Sequence, residues 1–175
     1  GETPNLLAAA SVSSPIDLAA SSRRLHESRN GIYQRSLLRG LVKESLGGKA
    51  DVSDRHRQAI LAARSIYEFD EKFVAPCNGF NGAADYYAKC SASPFLAGIR
   101  TPTLLVHALN DPWIPSRAYT DYPWDENPHL HPCLVEGGGH VGFHSQNLPT
   151  PWHDHAIETF VNDCKEQKLL GRQHD

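Results

Sequence analysis

The sequence of 175 residues lacks the features that are typical of nucleic-acid-binding, membrane and secreted proteins. Its 17 Lys and Arg residues are outnumbered by 20 Asp and Glu residues, so no basic surface for a phosphate backbone is expected and nucleic acid is excluded as a partner. No apolar run approaches the roughly 20 residues that span a bilayer, and the first apolar stretch, residues 6–10, has no basic flank typical of a signal peptide. We therefore expect a soluble chain without a transmembrane segment.

Cysteine pairs and methionine are also missing. The four cysteines, Cys77, Cys90, Cys133 and Cys164, include no Cys-x-x-Cys pair, so neither a zinc knuckle nor a dense disulfide framework is indicated. Reduced thiols and a cytoplasmic location are the expectation. Methionine is absent even from position 1, and we expect the chain to be a piece of a longer protein.

The apolar residues that are present predict an α/β architecture. The unbroken runs at residues 6–12 and Thr103–Ala108 are typical of parallel strands that are covered on both faces. Leu130–Val135 predicts a third strand, which Pro132 places at a sheet edge because proline has no amide hydrogen to donate. Three strands alone would form a small sheet with exposed edges.

Helical patterns fill most of the remaining sequence. Asp17 predicts an N-cap, and the glycines at positions 47 and 48 predict a helix end. Helices are predicted from residue 18, over residues 32–46, within residues 53–73 and over residues 82–89. Apolar residues between Trp152 and Cys164 share one helical face, which predicts a closing helix that packs on the sheet.

Two loops, each following a predicted strand, carry residues that could take part in catalysis. The loop at residues 110–115 contains Asp111, which by itself is best interpreted as an Asp-Pro turn with an Asx hydrogen bond. The loop at residues 136–143 contains three glycines before His140, and their backbone freedom allows an imidazole to be aimed at a site. A single histidine in such a loop is more often a surface residue than a catalyst.

Together the two loops suggest acyl-transfer chemistry. A serine nucleophile needs an imidazole as general base, and the imidazole needs a carboxylate to fix its tautomer and stabilise its cation. In α/β hydrolases the chain order is nucleophile, acid, histidine, with the last two on loops after late strands. Asp111 and His140 fit this order, so we predict that their side chains lie within hydrogen-bond distance.

The sequence resembles the C-terminal half of YheT-like α/β hydrolases, the branch that also includes the mammalian ABHD lipases. The matching segments are residues 14–18 (SPIDL), 33–35 (YQR), 66–70 (IYEFD), 79–80 (GF), 85–87 (DYY), 90–91 (CS), 102–108 (PTLLVHA), 111–112 (DP) and 138–143 (GGHVGF). They occur in the family's order over nearly the whole chain, which makes the resemblance more specific than any single motif.

The resemblance implies a domain organisation and a function. Residues 1–16 would hold a core strand of the hydrolase sheet, residues 17–94 a helical cap, and residues 95–175 the last two core strands, the acid and histidine loops and the C-terminal helix. Asp111 would be the acid and His140 the base of a Ser-His-Asp triad that cleaves a small-molecule or lipid carboxylic ester. No cofactor and no metal would be needed.

The nucleophile of that triad is not in this sequence. No serine has glycine two residues away on both sides, so the Gly-x-Ser-x-Gly elbow is absent and would lie upstream of Gly1 with the early strands. We expect this chain alone to be inactive toward esters. We also expect it to associate with its missing half or with itself.

Two other classes of function stay open at this point. One is a metal-binding module, because ten histidines are many for this length and several have spacings that can chelate. Those groups are His129-x-His131-x-Cys133, His140-x3-His144 and His153-x-His155. The other is a noncatalytic interaction domain, which would be favoured if the natural protein had no upstream segment.

Overall fold

The computed structural model describes residues 6–48, 52–145 and 149–171. The chain divides into two compact units. The sheet unit comprises Gly1–Ile16 and Ala92–Asp175, and the helical unit comprises Asp17–Ser91. The strands are β1 (Ala9–Val12), β2 (Thr103–Ala108) and β3 (Leu130–Val135). The helices are α1 (Leu18–His26), α2 (Gly31–Gly47), α3 (Asp54–Ala62), α4 (Ile66–Phe69), α5 (Ala75–Cys77), α6 (Ala83–Cys90), α7 (Ser93–Leu96), α8 (Arg117–Thr120) and α9 (Trp152–Gly171).

The sheet unit is built on a parallel three-stranded sheet in the order β1-β2-β3. All six residues of β2 are buried, which agrees with the continuous apolar run that predicts a central strand. β3 lies at the edge, and its Pro132 is the register partner of Leu105. The edge position tolerates proline because an edge strand has amide positions that face no neighbouring strand.

β1 is shorter than its apolar run predicts. The strand begins at Ala9, whose amide donates to the Pro102 carbonyl at 2.9 Å, and Leu6 before it is 48% exposed. The pairing of β1 with β2 begins at Ala9 and Thr103, so residues 6–8 form no ladder with β2. Within the described residues β1 pairs with β2 alone.

The two faces of β2 carry two separate apolar clusters, because successive side chains of a strand point to opposite sides. One cluster consists of Ile16, Leu96, Leu105, Ile114, Tyr119 and Leu130. The other consists of Leu104, Val106, Ala108 and Phe143, with Trp152, Ile157 and Phe160 of α9 packed against it. The closing helix therefore packs its apolar face on the sheet, as the sequence predicts.

In the helical unit, side-chain caps mark several helix starts. Asp17 accepts the Ala20 amide at 2.8 Å and begins α1 where predicted. Ser53 caps α3 and Ser65 caps α4, so the predicted helical stretch at residues 53–73 is two helices. Helix α2 ends at Gly47 as expected, but it has no buried residue, and its Ile32 is 80% exposed.

The segment between α4 and α5 departs from α-helical geometry. A π-helical turn, Asp70–Val74, continues α4 directly into α5. The Tyr87 hydroxyl of α6 donates to Asp70 Oδ2 at 2.5 Å and also lies 3.2 Å from Ser22 Oγ of α1. Burial raises the pKa of the Asp70 carboxyl, although the hydrogen bond from Tyr87 acts in the opposite direction. The pKa of the Tyr87 hydroxyl is also raised, mainly by burial and to a smaller extent by its bond to Asp70.

The helical unit ends at Ser91, three residues before the predicted cap boundary at Pro94. Helix α7 belongs to the sheet unit because both the amide and the hydroxyl of Ser93 donate to the Ile16 carbonyl, at 3.0 and 2.7 Å. Among the described residues, no helix is both long enough and apolar enough to cross a membrane.

We predict that the Tyr119 hydroxyl stabilises the sheet unit. It donates to the Ser14 carbonyl at 2.8 Å from a fully buried ring in α8. Tyr119→Phe should lower the free energy of unfolding by about 1 kcal/mol, the usual contribution of one buried hydrogen bond, as measured by urea titration. Tyr122→Phe, at a less buried position of the same segment, is the control and should change it by less than about 0.5 kcal/mol. Equal effects of the two variants would contradict the assignment.

Candidate active site

The acid loop follows β2 directly and turns sharply. The Asp111 amide donates to the Ala108 carbonyl at 3.0 Å, which bends the chain at the end of the strand. Asp111 Oδ1 accepts the amides of Trp113 at 2.8 Å and Ile114 at 3.0 Å. The Asx-turn interpretation of Asp111 is therefore correct, and the turn leaves the second carboxylate oxygen, Oδ2, for another partner.

The histidine loop follows β3 and closes on itself through Gly138. The amides of Gly142 and Phe143 both donate to the Gly138 carbonyl, at 2.9 and 3.1 Å. Gly138 and Gly139 have φ values of 153° and 59°, in the region that favours glycine. The buried Phe143 ring anchors the loop, and a Cβ on Gly138 would lie 2.6 Å from its Cδ1 atom.

The two loops bring Asp111 and His140 together. His140 Nδ1 lies 2.9 Å from Asp111 Oδ2, within the distance predicted from the sequence. The Asp111 side chain has no solvent exposure, whereas the His140 side chain is 26% exposed. A buried carboxylate thus holds one edge of an imidazole that reaches solvent.

Hydrogen bonds keep the buried Asp111 carboxyl ionised. Burial by itself would raise the pKa of this group, but the hydrogen bonds from His140, Ile114 and Trp113 outweigh burial and lower the pKa below its ordinary value. An ionised carboxylate only accepts hydrogen bonds, so the proton between the two side chains belongs to His140 Nδ1. In the neutral form of this tautomer, Nε2 has the free lone pair that a general base requires.

Two residues beside Asp111 also contact the histidine loop, and neither was assigned a role from the sequence. Asn110 Oδ1 accepts the Gly139 amide at 2.9 Å and so joins the acid loop to the histidine loop. The Trp113 ring lies 4.4 Å from the His140 ring at an interplanar angle of 39°. Their position beside Asp111 at the end of a buried strand is the only sequence signal that could have indicated them.

A second imidazole, His107, lies in β2 beneath the acid loop. It is fully buried and stacks on Tyr119 with centroids 4.0 Å apart and planes 4° apart. Neither ring nitrogen has a hydrogen-bond partner among the described residues. Burial lowers the pKa of His107, although the charge of Asp111 opposes the shift. Burial therefore disfavours a positive charge on this ring beside the acid.

The remaining histidines do not form the metal clusters that their spacing allowed. The described parts of the chain contain no group of three or more His, Cys, Asp or Glu side chains able to hold a metal ion. Three of these rings have other contacts instead. The His131 ring packs on Phe160, the His153 ring contacts Phe143, and His155 Nε2 lies 3.0 Å from Thr150 Oγ1. All four cysteines are free.

A parallel sheet with an acid after one strand and a histidine after the next is the arrangement of the late strands of an α/β hydrolase. Comparisons with known proteins agree. The chain is 32% identical over 166 residues to the Escherichia coli protein YheT, which is named as a candidate esterase. It is 29% identical over 170 residues to human phospholipase ABHD3, and 27% identical over 164 residues to the monoacylglycerol lipase of Saccharomyces cerevisiae.

These matches cover 92%, 95% and 87% of this chain, respectively. They cover 48%, 42% and 36% of the three relatives, so the chain spans less than half the length of each. No protein-family model matches the chain. The similarity and the three parallel strands identify the chain as a homologue of YheT-like, ABHD-related hydrolases with the C-terminal portion of an α/β-hydrolase fold.

We predict that Gly138 controls the stability of the histidine loop. Gly138→Ala should destabilise the chain by at least about 2 kcal/mol, because the added methyl group meets the Phe143 ring in a strained backbone conformation. Gly139→Ala is the matched control. It has a positive φ but nothing within 4 Å of the added Cβ, so only about 1 kcal/mol of backbone strain is expected. Thermal or urea unfolding measures both, and a larger loss for Gly139→Ala would contradict this account.

Proposed function

We propose that this chain supplies the acid and the base of a Ser-His-Asp triad in a hydrolase of carboxylic esters. The observation that carries the proposal is the 2.9 Å hydrogen bond between His140 Nδ1 and the buried Asp111, on loops that follow neighbouring parallel strands. The names of the relatives, an esterase, a phospholipase and a monoacylglycerol lipase, support ester cleavage as the reaction class. The serine lies on a segment upstream of Gly1.

In this mechanism His140 Nε2 takes the proton of the serine hydroxyl as its oxygen attacks the ester carbonyl. Asp111 holds the imidazole through Nδ1 and stabilises the cation that forms. The imidazolium then gives its proton to the departing alcohol, which leaves an acyl-enzyme. Water repeats the sequence with His140 again as base and releases the carboxylic acid. The reaction needs no cofactor and no metal.

The helical unit is, in this proposal, the cap of the hydrolase. Its residues form one continuous insertion in the chain between β1 and β2. The substrate would be a small-molecule or lipid ester. A cytoplasmic location is part of the same proposal, supported by the free cysteines of the chain.

We predict that activity requires both the upstream segment and His140. The 175-residue chain should not hydrolyse p-nitrophenyl esters, whereas the protein translated from the reading frame extended upstream should. In that longer protein His140→Ala should lower kcat/KM by about four orders of magnitude, because the nucleophile loses its base. A p-nitrophenol release assay measures all of these rates.

His144→Ala is the matched control, since His144 is an exposed histidine four residues after His140 and has no role in the proposed triad. It should keep the activity of the unchanged protein. Turnover by the 175-residue chain that His140→Ala abolishes would contradict the proposal, because the nucleophile would then lie within this chain. An unaffected rate in the longer His140→Ala protein would remove His140 from the mechanism.

We further propose that the open edge of β1 is a pairing site for the missing half of the enzyme or for a second copy of this chain. Within the described residues this edge has no partner strand, and an open edge exposes amides and carbonyls that can pair with another chain. Sedimentation of the purified chain should therefore show self-association at micromolar concentration. A strictly monomeric chain at tens of micromolar with no copurifying partner fragment would contradict this proposal, while the triad assignment would stand.

A further inference from the structure

The helical unit contains a cavity of its own, distant in sequence from both loops of the dyad. Its volume is about 460 Å³, within the range of roughly 300–1,000 Å³ that is usual for small-molecule sites. The lining residues are Ser22, Arg23, His26, Ser65, Tyr67 and Glu68. They come from α1 and from the first turn of α4 with its capping residue.

The wall of this cavity is mainly apolar, although most of its residues are polar. Long polar side chains present carbon stems to such a wall and keep their charged ends at its mouth. The Tyr67 ring is 45% exposed and makes an edge contact with the Tyr87 ring, with centroids 6.3 Å apart. The cavity thus offers an aromatic and aliphatic surface with charged groups around it.

The charges around the cavity leave one cation without a partner. Glu68, the only lining acid, is paired with Lys72 at 3.1 Å. Two nearby arginines, Arg24 and Arg29, share Glu27 at 3.4 and 3.3 Å. Arg23 makes no ion pair and no hydrogen bond with any described residue, which leaves its guanidinium available at the cavity.

A series of polar contacts extends from the cavity into the helical unit. Ser22 lines the cavity, and its Oγ lies 3.2 Å from the Tyr87 hydroxyl that donates to Asp70. Asp70 opens the π-helical turn, a local geometry that is rare and frequently found at functional sites. These contacts connect α1 to α6 and to the π-helical turn that follows α4.

We propose that this cavity binds a medium-chain carboxylate, with its apolar chain on the Tyr67 wall and its carboxylate on Arg23. One guanidinium matches one carboxylate through two parallel hydrogen bonds, whereas a phosphate dianion would call for a second unpaired cation. A ten-carbon carboxylate has about twelve heavy atoms, which at about 30 Å³ each, the volume of one water molecule in the liquid, occupy about 360 Å³. That volume fits the cavity, and none of the lining residues belongs to either loop of the dyad.

Calorimetric titration of the 175-residue chain with sodium decanoate, kept below micelle-forming concentration, tests the proposal. Decanoate should bind at one site, and decan-1-ol, which has the same chain without charge, should bind about tenfold more weakly. Decyl phosphate is the third probe and should bind no better than decanoate. Because the readout is binding heat, the result does not depend on whether the chain takes part in ester hydrolysis.

Two variants locate the site. Arg23→Gln should weaken decanoate binding about tenfold while leaving decan-1-ol binding unchanged, since it removes only the charge-assisted hydrogen bonds. Arg29→Gln is the matched control, an exposed arginine of the same unit that does not line the cavity, and it should bind decanoate as the unchanged chain does. Tyr67→Ala should weaken both probes several-fold because it removes the apolar wall.

Three outcomes would overturn the proposal. No saturable binding of decanoate would show that the cavity does not take this ligand. Equal losses with Arg23→Gln and Arg29→Gln would show general attraction of an anion to the positive charge of the unit. Tighter binding of decyl phosphate than of decanoate would assign the site to phosphate instead of carboxylate.

Discussion

A carboxylate removed from water stays ionised only when hydrogen bonds replace the water, and Asp111 satisfies that constraint. Its Oδ1 accepts two amides of its own turn and its Oδ2 accepts His140 Nδ1. The two amides of the turn hold Oδ1, which leaves Oδ2 for the histidine. The bond from His140 Nδ1 to Oδ2 both orients the imidazole and keeps its proton on Nδ1, so the lone pair lies on Nε2.

The sheet places both members of this dyad at the carboxyl ends of its strands. β2 and β3 are parallel neighbours, so the loops that follow them leave the sheet at the same end. Gly138 gives the histidine loop its tight turn, and Phe143 ties the end of that loop to the apolar cluster under α9. Packing between the closing helix and the sheet therefore supports the position of His140, although no residue of α9 contacts the dyad among the interactions described.

Much of this arrangement could be predicted from the sequence, because strand hydropathy, the proline in β3 and the order of Asp111 and His140 are local signals. The roles of Asn110 and Trp113 could not, since each depends on how close two loops approach in space. The π-helical turn at Asp70 could not be predicted either, because the hydropathy pattern of this segment does not distinguish a π-helical turn from an α-helical one. The start of β1 also differs from the prediction, because residues 6–8 continue the apolar run but form no ladder with β2.

The connections between the strands bear on how the sheet assembles. The link from β2 to β3 has 21 residues, whereas the link from β1 to β2 has 90 and includes the whole helical unit. In the ideal-chain treatment, closing the longer loop costs about 1 kcal/mol more in entropy. Pairing of β2 with β3, which brings the acid loop beside the histidine loop, is therefore the cheaper first step of sheet formation. β1 can join the sheet only by closing the longer connection, so the dyad lies on the half of the sheet whose pairing costs less entropy.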